Sequence, residues 1–319
     1  MFGLPLGILS TVGQAPEPGS LRPRVHLRRF AGPSAYVGKM QPLRIAHLTD
    51  QHVGRMTPFA VQVEAVTRAT AENPDLVVLT GDFVCHSQLY LDQLSELMGL
   101  FKVPVMAVLG NHDHWSGAPE VRKSLLRAGV EVLSNQNTLL TLRNQRLQVV
   151  GLDDAYTGHA DKDKGTKGLR RDVPTIALSH IAEEADGLWQ RGVPFVLSGH
   201  THGGQVTVAK LHELALGRLF GHKYVHGLYG SRGPRGEDDV HGAVYVGAGI
   251  GAAVMPFRVG DRGRREVTIF ELGISPGSFV EHHGEQKPLE GRRPSLAVQA
   301  KRARQVVLKR ERRERRLKA

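Results

Sequence analysis

Residues able to ligate metal or move protons recur at five places in this chain, each time directly after a short apolar run. Asp50-Gln51-His52 follows Ile45–Leu48, Gly81-Asp82 follows Leu76–Thr80, and Gly110-Asn111-His112-Asp113-His114 follows Val105–Leu109. His180 follows Thr175–Ser179, and Gly199-His200-Thr201-His202 follows Phe195–Ser198. Short β-branched runs bounded by Gly and polar residues read as buried strands, and open α/β sheets collect their ligand sites at strand carboxyl ends. Five such endings would bring carboxylates, imidazoles and an amide to one edge. Asp, His and Asn without thiolates suit borderline to hard divalent cations, namely Mn, Fe, Zn or Mg. Two such ions held ~3.5–4 Å apart can clamp an in-line displacement at phosphorus. A shared carboxylate is the natural way to hold two cations that close, and Asp82, with Gly81 beside it to let the chain turn, is the best-placed bridge.

The elements that must position these residues are legible in the periodicity. From Leu43 to Gly151, strands alternate with helical stretches at Pro58–Asn73, at Gln88–Phe101 with Leu91, Leu94, Leu97 and Leu100 at helical spacing, and at Pro119–Ala128. The short run Val130–Leu133 closes that series. Such β–α alternation predicts a mostly parallel sheet with helices on its faces. The rhythm then changes. A hairpin is expected from Asn137–Leu142 and Arg146–Leu152, a polar Gly-containing loop over Asp153–Asp172, and a helix over Ala182–Gln190. Strands at Gly204–Val208, Gly242–Val246 and Glu266–Glu271 follow with little helix between them, which predicts a second, more antiparallel sheet. The expected fold class is therefore α/β, with two facing sheets and helices outside.

With 319 residues the chain has ample length for a large core, and 40% apolar with 23% charged residues is ordinary for a globular protein. A single cysteine, Cys85, excludes an intrachain disulfide framework and any Cys-based zinc knuckle. The net charge of +11 is concentrated at one end, since residues 301–319 hold ten Lys and Arg against two Glu. No apolar segment reaches the ~18–20 residues of a spanning helix, and the apolar Met1–Gly13 lacks the basic start of a signal peptide. The expected location is cytoplasmic, peripheral to a membrane if the basic tail binds anionic lipid. Residues 1–42 read as a Pro- and Arg-containing leader, 43–272 as the catalytic domain, and 273–319 as a linker and basic tail.

The blocks D-x-H, G-D, G-N-H-D, H and G-H-x-H stand in order as Asp50-Gln51-His52, Gly81-Asp82, Gly110–Asp113, His180 and Gly199–His202. In these the chain resembles the calcineurin-like metallophosphoesterases, across roughly residues 43–272. The resemblance implies a four-layer αββα sandwich with two facing mixed β-sheets and a dinuclear centre of two divalent metal ions. It places Asp50, His52 and His202 on the first metal, and Asn111, His180 and His200 on the second, with Asp82 bridging. It assigns His112 to the leaving oxygen rather than to metal, with Asp113 as a partner that orients it. Two features depart from the family pattern. Cys85 stands where many relatives carry an Asp that orients the catalytic His, and His180-Ile181-Ala182 stands where many read H-N-P.

The runs Gly199–Val206, Gly247–Gly251 and Pro256-Phe257-Arg258, with Gly110–Trp115 and Gly151–Asp154, are similar to a bacterial subgroup. That subgroup contains phosphodiesterases and relatives of UDP-2,3-diacylglucosamine hydrolases. The implied activity is hydrolysis of phosphodiester or pyrophosphate bonds by metal-activated hydroxide, on a substrate that can be lipid-linked. Manganese is the first cation to try. Two other readings compete: a nuclease of the same superfamily, favoured only by the basic tail, and a non-catalytic, metal-containing, membrane-associated interaction protein. His114 and Arg258 are candidate substrate contacts. His47, inside a strand, reads as a core residue, while His159, His222, His226 and His241 are weaker candidates for approaching phosphate. Lys210–Phe220 is either a helix folded back on the core or an acyl-chain platform beside the site.

Overall fold

The computed structural model describes residues 24–85, 87–204, 221–233, 242–252, 258, 260, 263–289 and scattered positions from 297 to 315. Lys210–Phe220, Pro256-Phe257, His241 and the strand expected over 205–208 lie outside the described residues.

Among the described residues the chain forms twelve strands, short because they are bounded by Gly or polar turn residues. They are β1 (His26–Ala31), β2 (Leu43–Leu48), β3 (Leu76–Thr80), β4 (Val105–Val108), β5 (Val130–Val132) and β6 (Gln136–Leu142). The remainder are β7 (Gln145–Gly151), β8 (Thr175–Leu178), β9 (Phe195–Ser198), β10 (Gly227–Gly230), β11 (Ala243–Val246) and β12 (Glu266–Leu272). Helices are α1 (Phe59–Ala71), α2 (Leu91–Met98), α3 (Asn111–Ser116), α4 (Ala118–Arg127), α5 (Lys162–Gly165) and α6 (Ala185–Gln190).

The strands form two six-stranded sheets, ordered β1-β12-β2-β3-β4-β5 and β10-β11-β9-β8-β7-β6. Side-chain alternation along each strand assigns the layers. Ile45, Leu76, Val78, Ile176, Leu178, Phe195 and Leu197 meet in one core between the sheets. Ala46, Leu48, Val77 and Leu79 point the other way, onto Val61 and Ala65 of α1, Leu94 of α2 and Leu125 of α4. On the far side Ala177, Val196 and Val244 pack on Leu188 and Trp189 of α6. The result is the four-layer αββα sandwich. Strands covered on both faces have no polar face to show, so they read as continuous apolar runs rather than as alternation.

Both sheets are mixed: in the second, β7, β8, β9 and β11 run parallel and the edge strands β6 and β10 are antiparallel, two antiparallel pairings against the one of β12 with β2 in the first. The leader over 1–42 gives way at His26, where β1 pairs in parallel with β12. Its Arg28 ion-pairs with the buried Glu266, an attachment that strand periodicity cannot reveal. The segment read as a linker after Gly273 packs back on the domain. Glu281 and Glu285 both pair with Arg232, and the Gln286 amide N–H donates to Leu228 O at 2.8 Å. Beyond it, the described positions from 297 to 315 that belong to helix are solvent-exposed.

Candidate metal centre

All five polar clusters leave the carboxyl ends of β2, β3, β4, β8 and β9, three from one sheet and two from the other. At each exit the chain must turn at once, and five of the residues concerned do so in the left-handed region. Their φ values are +50° for Asp50, +44° for His52, +56° for Asp82, +76° for His200 and +53° for His202. Non-glycine residues rarely adopt this conformation, and such strain is held where the surroundings over-determine it. The glycines serve close approach. A Cβ on Gly81 would lie 2.6 Å from the Gly110 amide nitrogen, and one on Gly110 would lie 2.6 Å from the Asp82 nitrogen. The β3 and β4 exits therefore touch backbone to backbone, which sets Asp82 beside Asn111.

Each of the two central carboxylates has one oxygen tied and the other aimed inward. Asp50 Oδ2 accepts from Thr49 Oγ1 at 2.8 Å and from the His200 amide at 3.0 Å. Its Oδ1 is buried with no donor and lies 3.4 Å from His202 Nε2 and 3.8 Å from His52 Nε2. Asp82 Oδ1 accepts from the His112 amide at 2.8 Å. Its Oδ2 lies 3.6 Å from His52 Nε2 on one side and 3.3 Å from His180 Nε2 on the other. His180 Nε2 is also 3.2 Å from Asn111 Oδ1 and 3.3 Å from His200 Nδ1. Two trios result, Asp50–His52–His202 and Asp82–His180–His200, each with its ligand atoms within 4.8 Å of one another. Asp82 Oδ2 stands between them.

The electrostatics fit cations. Burial pushes the Asp50 carboxyl up to about 6 and the His52 imidazole down to about 3. Burial opposes charge on Asp82 and His180 as well, yet each holds the other ionised. Asp82 sits well below the usual carboxylate range and His180 is raised to about 10. Converging acceptors, an undonated carboxylate oxygen and a carboxylate–imidazolium pair with almost no exposure form a set that divalent ions would neutralise in place of protons. Cys85 also lies within 4.8 Å of ligand atoms of His52 and His112. Burial and Asp82 push its thiol pKa up, which keeps it protonated and a poor ligand.

Not every expected role matches the geometry. Asp113 does not reach toward His112. Its Oδ2 accepts from the Asp82 and Gly110 amides, both at 2.9 Å, and its Oδ1 from those of Phe83 at 2.8 Å and Val84 at 3.2 Å. It splints the β3 exit to the start of α3. His112 is instead held through Nδ1, 2.6 Å from the backbone carbonyl of Cys85, so a main-chain acceptor stands where many relatives use a carboxylate. Arg258 is engaged by backbone carbonyls and by a candidate ligand. Its guanidinium donates to the carbonyls of Ala248, Gly251 and Gly263 and lies 3.1 Å from His202 Nδ1. His114 Nε2 is committed to Asp153 Oδ1 at 2.7 Å, and its ring stacks on that of His159 at 4.2 Å.

Of the remaining histidines, His47 is a core residue: it is buried, 2.8 Å from Thr80 Oγ1, and lowered to about 3 by burial. His226 is buried against Glu266, whereas His222 stands beside His200 with ring centroids 5.4 Å apart. Three contributors escape sequence reading. The Thr80 carbonyl accepts from His180 Nδ1 at 2.7 Å, and backbone acceptors leave no residue-type signal. Trp115 and Tyr156 flank the centre, 4.8 Å from His112 and 5.1 Å from His200 between centroids. The Gly247–Gly251 run proves to be a brace, its amides at Ile250 and Gly251 donating to the carbonyls of Thr49 and Asp50.

The fold and this constellation define a metal-dependent phosphoesterase. The profile of the calcineurin-like phosphoesterases matches residues 43–204, and the chain belongs to that family. Among curated relatives, phosphodiesterase YaeI of Escherichia coli is 28% identical over 241 residues, covering 72% of this chain and 82% of that protein. The uncharacterized metallophosphoesterase YkuE of Bacillus subtilis is 27% identical over 235 residues, covering 72% of this chain and 78% of the relative. Among solved structures, the NAD nucleotidase of Haemophilus influenzae aligns with a TM-score of 0.46 at 18% identity, over 66% of this chain and 51% of its own length.

Proposed function

We propose that the protein hydrolyses phosphodiester or pyrophosphate bonds at a two-metal centre. Asp50, His52 and His202 would hold the first ion, Asn111, His180 and His200 the second, and Asp82 both. The observation that carries this reading is the position of Asp82 Oδ2, within 3.6 Å of one imidazole trio member and 3.3 Å of the other. When bound, the two ions would acidify a water and neutralise charge developing on the phosphoryl oxygens.

The chain's own groups do the rest. Asp82 and Asp50 each present one pre-tied carboxylate, so little reorganisation is needed on binding. The Cys85 carbonyl accepts a hydrogen bond from His112 Nδ1–H, which leaves Nε2 as the nitrogen that exchanges a proton with the leaving oxygen. Trp115 and Tyr156 wall the site beside His112 and His200 and restrict water around the leaving group. A diester such as a lipid-linked nucleotide matches the resemblance to the UDP-2,3-diacylglucosamine hydrolase relatives, and the likeness to a phosphodiesterase supports diester over monoester. Attachment of the basic tail to anionic lipid would bring the enzyme to such a substrate. Among the described residues no helix is long and apolar enough to cross a membrane.

The test is turnover of bis-p-nitrophenyl phosphate with added Mn²⁺. Asp82→Ala is expected to abolish it, and His112→Ala to lower kcat by about 10²–10⁴-fold, the usual contribution of a positioned proton donor. Both variants retaining full activity would remove the assignment. A parallel screen of UDP-linked glycolipids, phospholipids, nucleotides and DNA decides the substrate class, and cleavage of DNA alone would favour a nuclease.

A further inference from the structure

We propose that Trp115 and Tyr156 select the leaving group, forming a corner that seats a planar ring carried by the leaving oxygen, as in an aryl ester or a nucleoside. The inference rests on the two-metal reading above and adds the substrate class to it.

Aromatic rings line one side of the centre in an unbroken series. His112 and Trp115 have centroids 4.8 Å apart, Trp115 and Tyr156 5.9 Å, and Tyr156 and His200 5.1 Å. The series thus starts at the imidazole that faces the leaving oxygen and ends at a candidate ligand of the second ion. All four side chains are half-buried, so each keeps some surface open. The planes of Trp115 and Tyr156 stand at 82°, which makes the pair a corner next to His112. A planar group lying on one of these rings meets the other edge-on, and aromatic pairs favour both offset stacking and edge-to-face contact. A flexible alkyl group gains neither and loses rotamer freedom when held there.

The corner is fixed before any substrate arrives. Trp115 stands on α3 and Tyr156 on the loop after β7, and His114 of α3 joins that loop through Asp153 Oδ1 at 2.7 Å. Ser134 Oγ donates to Asp153 Oδ2 at 2.5 Å, and the Asp153 amide donates to Asn135 Oδ1 at 3.0 Å. Asp154 Oδ2 closes the turn that carries Tyr156 by accepting from the Thr157 amide at 2.7 Å. At the far end of α3, Gln88 Nε2 donates to the Ser116 carbonyl at 2.9 Å. Both rings therefore sit on tethered backbone, and little ordering cost offsets the stacking. His114, expected as a substrate contact, becomes the clasp that holds the two ring-bearing segments together.

The test compares kcat/KM of the Mn²⁺-loaded full chain on two matched pairs of diesters. Methyl uridine 5′-phosphate and its abasic ribose counterpart differ only in the base and are followed by release of the nucleoside or the sugar. Methyl phenyl phosphate and methyl hexafluoroisopropyl phosphate have leaving groups of similar acidity, one planar and one branched. Wild type is expected to favour the ring-bearing member of at least one pair by about tenfold, the effect of one stacked base. Trp115→Leu and Tyr156→Leu, bulky but without a ring face, are expected to cut that preference to within about threefold, and Trp115→Phe to keep most of it. The preference is a ratio taken on one preparation, so a loss of folded protein cancels. Preference in the uridine pair alone assigns the seat to a nucleoside, and in the phenyl pair alone to an aryl group. A wild-type preference below about threefold in both pairs, or one that both leucine variants retain, overturns the inference and leaves the two-metal reading standing. Complete inactivity of both leucine variants would give the rings a part in the reaction itself and also overturns it. Absence of Mn²⁺-dependent turnover of all four diesters and of bis-p-nitrophenyl phosphate by wild type overturns both.

Discussion

The role of Asp113 offers the sharpest test of the site's construction. Its two carboxylate oxygens accept from four backbone amides, those of Asp82, Phe83, Val84 and Gly110, and the residue has no exposure to solvent. Asp113→Asn keeps the shape and turns one oxygen into an amino group facing two N–H donors. Two bonds to a charged acceptor are lost, worth ~1.5–3 kcal/mol each, and two buried amides are orphaned. Relief from burying a charge works the other way, since burial and Asp82 push this carboxyl up to about 7 against the pull of its amide donors. The net loss is about 3 kcal/mol, a large part of the ~5–15 kcal/mol that holds a domain folded.

Urea unfolding followed by far-ultraviolet circular dichroism, in chelator so that metal does not mask the difference, measures it. Loss of the splint also decides where activity fails. Asp82 should be loosened, so Mn²⁺ affinity falls together with stability, and the dependence of rate on leaving-group pKa stays as in wild type. If instead Asp113 orients His112, the variant would unfold within about 0.5 kcal/mol of wild type, the range of substitutions away from such features, while losing rate most with poor leaving groups. That result would refute the splint.

Three further outcomes are expected. Burial acts to raise the Glu266 carboxyl, yet His226 and Arg28, with Tyr245 Oη and the Ala248 amide both donating at 2.9 Å, hold it well below its ordinary 4.5. A depressed carboxyl stabilises fully above its unfolded value, so stability should fall as pH drops below about 4.5, and Glu266→Gln should flatten that acid limb. The same variant should lose about 3–5 kcal/mol at neutral pH, because the buried His226 and the partly buried Arg28 then face an uncharged amide. An unchanged acid limb in chemical denaturation would show that this cluster is not what the acid breaks. Cys85→Ala should keep kcat within about threefold, since the backbone carbonyl rather than the thiol holds His112. A fall beyond tenfold would give the thiol a part in the reaction.

Residue types and order were enough to place Asp50, His52, Asp82, Asn111, His180, His200 and His202 at one edge, because strand carboxyl ends collect sites whatever the rest of the fold does. Short β-branched runs apolar on both faces pointed to strands covered on both sides, and the family resemblance supplied the four layers. What the sequence could not carry was the wiring through the backbone. The Cys85 carbonyl that holds His112, the Thr80 carbonyl behind His180 and the amides gathered by Asp113 have no residue-type signature, because every residue offers the same N–H and C=O. Arg258 shows the same limit for a side chain: a lone arginine after a glycine loop says nothing about which of its donors will be used. The attachment of β1 and of Glu281 and Glu285 to the domain was likewise decided only by long-range pairing, β1 with β12 and both glutamates with Arg232. Residue types, with the resemblance they carry, nominated the candidate ligands, and only tertiary contacts, which bring residues distant in sequence within hydrogen-bond reach, decide what holds each of them in place.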